Sequence, residues 1–476
     1  MLSPKIILIA IGLSLPMTLA SLAQGQAPAT VAQTSWAVPS DMDIRKILAE
    51  RVDTQRQSVG IVVGIVDPNG RRIVSYGALN QGDERPLDGD TEFEIGSNTK
   101  VFTSLILADM AQRGEVSLND PVAKFLPSNV KMPTRNGKQI TLIDLSTHTS
   151  GLPRMPDNVR PTNPEDPNGD YTVEQLYQFL DSYTLTRDIG THFQYSNLGA
   201  ELLSLALTLR AHSDYESLLQ QRISVPLGMK DTVVNLSPAT AARMAVGHDY
   251  ALKAVKNWEQ PALPGAGAMH STAKDILTFL SAELELGNSP LKESMAKQLS
   301  VRRPADAPNM SVALGWFVRK DERGTVIWHN GATGGSRSFM GFNPDTRTGV
   351  VILANASTAD GPDDIGFHLL TGTPLAKIVP PKLHAEIALD TATKQTLVGR
   401  YRLAPDSILT ISLVGEQLFA QPTGQETFPM FPESPTQLFC KCIANAEISF
   451  VMGANARAVS LVLHTRGRNR SGQRVE

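Results

Sequence analysis

The chain has 476 residues, of which 41% are hydrophobic and 19% charged, with a formal net charge of −3. That length allows two or three domains and ample core, and the composition is that of an ordinary globular protein without low-complexity tracts. Nothing is basic enough to mark a nucleic-acid surface, so the expected partner is a small molecule or a peptide.

Lys5 precedes Ile6 to Leu15, an apolar run too short to span a bilayer comfortably. Leu19-Ala20-Ser21-Leu22-Ala23-Gln24 follows, with small residues suited to cleavage after Ala23. Residues 1–23 are therefore expected to be a signal peptide and 24–40 a polar tail. No other segment is long and apolar enough to cross a membrane. The reading is a periplasmic or secreted protein, with no stable membrane insertion once the leader is removed.

Met42 to Arg51 predicts a short helix. The apolar run Val59 to Val66, the turn Asp67-Pro68-Asn69-Gly70 and Arg72 to Gly77 predict a hairpin. Glu94-Ile95-Gly96-Ser97-Asn98-Thr99-Lys100 then reads as a glycine-marked turn with a serine at a helix entrance and a lysine one turn on. Val101 to Met110 is apolar nearly all round, so this helix is expected to be buried. Residues at i and i+3 share a helix face, and the unpaired N–H groups of a helix start can meet an anion. The pattern suits a nucleophilic serine whose proton is managed by the lysine. Ser-x-x-Lys also begins at Ser128, Ser271, Ser289 and Ser294, but only Ser97 opens a helix too apolar for the surface.

Helices are expected around 173–183, 196–210, 214–223 and 272–286, and Leu142 to His148 should be a buried one. Strands are expected at 311–319, 324–329, 337–343 and 349–355, antiparallel because their connections are short. Strands at both ends of this region with helices between imply an α/β (α+β) fold, one antiparallel sheet closed by the two ends with a helical subdomain on it. After a linker at 379–391, residues 392–476 show six short, regularly spaced strands, at 398–403, 408–413, 417–421, 437–443, 448–452 and 459–464. They predict a small all-β barrel or sandwich. Cys440 and Cys442, the two cysteines, are expected to be buried apolar residues, since a disulfide at that spacing would be strained.

Two further stretches could carry chemistry. Tyr195-Ser196-Asn197 opens a helix and holds the one Tyr-x-Asn of the chain. His329-Asn330-Gly331-Ala332 lies just after a strand, where a small residue lets a backbone edge approach a ligand closely. His148, His192 and His270 are read as structural. Neither Gly-x-Ser-x-Gly nor His-Glu-x-x-His occurs.

Ser97-x-x-Lys100, Tyr195-x-Asn197 and the motif at 329–331 occur in the order and separations of the penicillin-recognising serine hydrolases. Residues 41–378 resemble class C β-lactamases, low-molecular-weight D-alanyl-D-alanine peptidases and family VIII-type esterases. The stretches Thr147-His-Thr-Ser-Gly-Leu-Pro153 and Pro226-Leu-Gly-Met229 agree with this. The resemblance implies an acyl-enzyme on Ser97, proton transfers shared by Lys100 and Tyr195, and Asn197 bonded to the substrate's amide side chain. It also implies an oxyanion hole of the Ser97 and Ala332 N–H groups, with His329, Asn330 and Gly331 lining the substrate. No cofactor and no metal ligand set is implied. The substrate implied is a β-lactam or a peptidoglycan-derived D-alanyl-D-alanine peptide; an ester, or a penicillin-binding receptor with little turnover, are the alternatives. The chain departs from the lactamase pattern at His329, where the motif has lysine, and at Met155, near the place of an amide side chain that binds substrate.

Overall fold

The computed structural model describes residues 36–475, apart from 160–162, 164–165, 167–168, 259–263, 359–360, 379, 381, 406, 426, 442–445 and 466–467. The expected signal peptide lies outside the described residues. Ala37–Glu476 form one compact unit.

The main sheet is antiparallel, and both ends of its sequence region enter it. Its strands are β1 (Gly60–Asp67), β2 (Gly70–Gly77), β3 (Arg303–Pro304), β4 (Met310–Val312), β5 (Phe317–Asp321), β6 (Gly324–Ala332), β7 (Arg337–Asn343) and β8 (Thr348–Ala354), in the order β2-β1-β8-β7-β6-β5-β4-β3. β1 pairs with β8 in the register Ile61↔Ala354 to Val66↔Gly349, which joins the two ends as expected. Both faces of β1 are covered, so its sequence is a continuous apolar run rather than an alternation. Ile61, Val63 and Ile65 pack with α1 (Asp41–Ala49) and with the helix Asp363–Thr371, while Val62 and Val66 belong to the core shared with the helical subdomain. Gly64 has a packing reason: a Cβ there would stand 2.8 Å from Val351 and 3.0 Å from Leu277, so only glycine lets the helix Ala273–Glu283 seat on the sheet.

The helix behind the candidate serine, α2 (Thr99–Gln112), is buried at every position from Thr99 to Met110. Its burial fixes the one turn that carries Ser97 and Lys100.

The C-terminal region is a closed antiparallel barrel of eight strands: β9 (Gly399–Ala404), β10 (Ser407–Val414), β11 (Gln417–Pro422), β12 (Phe428–Ser434), β13 (Gln437–Cys440), β14 (Glu447–Met452), β15 (Ala458–Thr465) and β16 (Arg468–Arg474). Two strands exceed the six expected. β12 was hidden by Pro429 and Pro432, and β16 is almost wholly polar. Tyr401, Leu409, Ile411, Leu418, Leu438, Ile448 and Leu461 fill the interior, as side chains do in a barrel this small. Cys440 is buried and disulfide-bonded, against the expectation of unpaired thiols, and Cys442 is the other cysteine of the chain. The strand ends at Cys440 and the chain bends at Lys441, so the extended-strand spacing behind that expectation does not apply.

Candidate active site

Ser97 sits in a single 3-10 turn, Gly96–Asn98, that feeds directly into α2. Gly96 has φ +51°, and a Cβ on it would stand 2.6 Å from the Ala332 nitrogen, so the turn and the end of β6 touch backbone to backbone. The turn is tied down on the same side. Asn98 Nδ2 donates to Ser338 Oγ at 2.8 Å, and Ser338 Oγ donates to the Ile95 carbonyl at 2.8 Å. Thr99 Oγ1 donates to the Gly96 carbonyl at 2.7 Å.

Lys100 lies one helical turn on and is 2% exposed. Its Nζ donates to Ser97 Oγ at 3.0 Å and to the Ala266 carbonyl at 2.6 Å. Members of three other Ser-x-x-Lys pairs have different partners among the described residues. Lys274 pairs with Asp90, Lys292 pairs with Glu285, and Ser294 donates to Asp109. The buried helix singles out the one pair that meets.

Tyr195 is brought in from the start of another helix, Asn197–Ala211. Ser196 caps it: its Oγ accepts from the Gly199 N–H at 2.8 Å and donates to the Pro153 carbonyl at 2.6 Å. Lys100 Nζ lies 5.0 Å from the centre of the Tyr195 ring. His148, read as structural from the sequence, has its ring 4.5 Å from the same ring, tilted by 31°, and accepts the Ser196 N–H on Nδ1 at 3.1 Å. Burial, with Lys100 second, holds its imidazole well below the ordinary value, so it is a neutral acceptor. Arg154 places its guanidinium carbon 5.0 Å from the Tyr195 ring centre, and its carbonyl accepts the Asn197 N–H at 3.0 Å. Nothing local marked His148 or Arg154, although both fall in or beside the stretch Thr147–Pro153 that carried the resemblance.

His329 lies on β6, 1% exposed, with its ring 6.2 Å from Tyr195 and 5.1 Å from Phe317. Burial, then the charge of Lys100, lowers it to about 3. An ordinary histidine is charged part of the time near neutral pH; desolvation makes this ring neutral there. Its Nδ1 lies 2.6 Å from the Asn330 carbonyl, which assigns the proton to Nδ1 and leaves Nε2 as an acceptor without a partner among the described residues. Asn330 alternates to the other face of the strand. Its Nδ2 donates to Asp363 Oδ2 at 2.5 Å, which ties β6 to the helix Asp363–Thr371.

Gly331 explains why β6 and the Ser97 turn can touch, since a Cβ on it would fall 1.9 Å from the Ile95 carbonyl oxygen and 2.4 Å from Ser338 Oγ. Gly331→Val is expected to push β6 off the turn, with at least about a tenfold loss of activity and about 1–3 kcal/mol of stability. Steady-state rates and a melting curve check both; a variant with wild-type values would contradict the close contact.

Glu94, at the end of the strand leading to Ser97, accepts hydrogen bonds from the Thr333 hydroxyl at 2.7 Å and the Trp258 N–H at 2.8 Å. Burial outweighs both and pushes its carboxyl up to about 7 from 4.5. A raised carboxyl stabilises the fold fully below its unfolded value, and that contribution is lost as pH rises through about 7. Glu94→Gln stays neutral, so it should match wild type near pH 4 and exceed it near pH 8, by up to about 3 kcal/mol. Urea titrations at the two pH values test this; an equal difference at both would contradict it.

Among the described residues no group of three or more His, Cys, Asp or Glu could hold a metal ion. Nor is any helix there long and apolar enough to cross a membrane.

The family model described as Beta-lactamase matches residues 44–373. The D-alanyl-D-alanine-carboxypeptidase/endopeptidase AmpH of Escherichia coli K12 is 29% identical over 361 residues, 70% of this chain and 90% of that protein. Penicillin-binding protein 4* of Bacillus subtilis is 24% identical over 429 residues, 84% of this chain and 92% of its own length. Among solved structures, a β-lactamase/D-alanine carboxypeptidase from Yersinia pestis aligns with a TM-score of 0.59 at 25% identity, covering 66% of this chain and 92% of its own.

Proposed function

This chain belongs to the β-lactamase family, and we propose that it is an exported serine hydrolase acting through an acyl-enzyme on Ser97. Its proposed substrates are β-lactams, D-alanyl-D-alanine-type peptide amides, or both. The observation that carries the reading is the Lys100 Nζ to Ser97 Oγ contact at 3.0 Å, with the Tyr195 ring beside the same nitrogen.

Ser97 Oγ attacks the substrate carbonyl and its proton passes to the Lys100–Tyr195 pair. The carbonyl oxygen takes up the charge and is held by the N–H groups of Ser97 and Ala332, a role supported by the close approach of the Gly96 turn to the Ala332 backbone. Collapse breaks the carbonyl C–N bond, and the pair returns the proton to the leaving nitrogen. Water then attacks the Ser97 ester by the same route, releasing the acid and restoring the hydroxyl. Asn197 holds the amide of the acyl side chain, and Gly331 with His329 lines the strand side of the cleft. The similarity to AmpH favours the peptide among these substrates.

His329 supports a second reading, a family VIII-like carboxylesterase. A neutral imidazole with a free acceptor offers no charge to a substrate carboxylate, whereas the motif lysine does. A penicillin, a D-alanyl-D-alanine peptide and an aryl ester compared at equal concentration separate the two. Lactam or peptide turnover above ester turnover supports the first reading, and ester turnover alone supports the second. Export is tested by the mass of the protein recovered from culture, expected to begin at Gln24.

A further inference from the structure

A hairpin of the barrel reaches the stretch that frames Tyr195. The hairpin joining β11 to β12 carries Thr423-Gly424-Gln425 at its tip. The Gly424 carbonyl accepts the Arg154 N–H at 3.0 Å. Gly424 has φ +67°, and a Cβ on it would point at Pro153, 3.5 Å from that residue's Cβ. The tip is braced on the barrel. The Thr423 N–H donates to the Ile408 carbonyl at 2.9 Å, Thr423 Oγ1 accepts the Ile408 N–H at 3.0 Å, and the Gln425 N–H donates to the Pro422 carbonyl at 3.0 Å.

Arg154 is therefore a joint. Its N–H goes to the barrel, its carbonyl receives the N–H groups of Asn197 and Leu198 at 3.0 and 3.1 Å, and its guanidinium lies against Tyr195. One residue separates the barrel from the helix start that presents Tyr195 and Asn197. Its neighbour Pro153 receives the hydroxyl of Ser196, the residue between those two.

We propose that the hairpin Thr423–Gln425 forms the acyl-side wall of the catalytic cleft, so that the barrel sets which acyl groups reach Ser97. This rests on the acyl-enzyme reading, in which Asn197 holds the acyl side chain. Gly424 and Arg154 are positioning residues, and the ligand class concerned is the acyl group of the substrate, short against long.

Two variants of the full chain move the wall in opposite directions. Gly424→Trp puts bulk toward Pro153. Replacing Thr423-Gly424-Gln425 by a shorter Asn-Gly turn withdraws the tip. Each is assayed with acetyl, hexanoyl and dodecanoyl esters of one nitrophenol, with the mass of Ser97 adducts and the melting curve recorded alongside. Gly424→Trp should lower the long-to-short ratio of kcat/KM about tenfold or more, and the shortened hairpin should raise it by a similar factor. A ratio within about twofold of wild type in both variants, with the barrel still melting as in wild type, would overturn the proposal. A wild-type protein on which neither the esters nor a penicillin leaves mass at Ser97 would overturn the acyl-enzyme reading first, and this one with it.

Discussion

Ser97→Ala is expected to abolish turnover of lactam, peptide and ester alike, by about a thousandfold or more and up to the order of 10⁶. The size follows from the site's construction. Ser97 is the hydroxyl that meets Lys100 at the start of α2, and no second nucleophile takes its place in the covalent step. The surrounding turn does not depend on its side chain, because Thr99, Asn98 and Ser338 hold the backbone. The variant should therefore melt within about 1 kcal/mol of wild type, as a change to a half-buried hydroxyl does. Retained activity with an intact fold would sink the nucleophile assignment, whereas an unfolded variant would contradict the claim that the backbone ties hold the turn.

Lys100→Met is expected to cost nearly as much, on the order of a thousandfold, through loss of the group proposed to take up the Ser97 proton. Methionine keeps the apolar stem but leaves the Ala266 carbonyl without its 2.6 Å donor. Removing an amine from a site 2% exposed relieves a desolvation cost at the same time. The two effects oppose each other, so the melting curve should move little while acylation collapses. Mixing the variant with penicillin and following adduct mass checks the step directly. Acylation at the wild-type rate would transfer the proton role to Tyr195 alone.

The legible parts of this fold were local. The turn Asp67–Gly70 announced the β1–β2 hairpin by its residue types, and the i, i+3 spacing of Ser97 and Lys100 is met by a 3.0 Å contact. The all-round apolar run from Val101 to Met110 pointed to a buried helix, and it is one. What stayed hidden depends on partners far away in the chain. β12 contains Pro429 and Pro432, which argue against a strand on local grounds, yet it pairs with β11 and β13 and absorbs a register shift after Pro432. β16 reads Arg-Asn-Arg-Ser-Gly-Gln-Arg and has no apolar face. It forms because it closes the barrel, with Tyr401 opposite Arg474 and the Arg474 guanidinium donating to the Val398 and Ala458 carbonyls. At the site, spacing and resemblance named Ser97, Lys100 and Tyr195, and the fold brings the three together. Neither spacing nor resemblance showed how His148 and Arg154 frame Tyr195, because those contacts exist only once the helix Asn197–Ala211 has packed. Asn330 shows the reverse: a motif residue whose side chain is engaged with Asp363.

An intact-mass time course, with peptide mapping, of the protein mixed with a penicillin, a cephalosporin, a carbapenem and a D-alanyl-D-alanine peptide tests the Ser97 acyl-enzyme itself. Released products are followed in the same tubes. The expected result is an added mass equal to the opened lactam or the acyl fragment, mapped to Ser97, and absent from Ser97→Ala. The assignment would be contradicted by turnover with the adduct on another residue, or by the same adduct on the alanine variant.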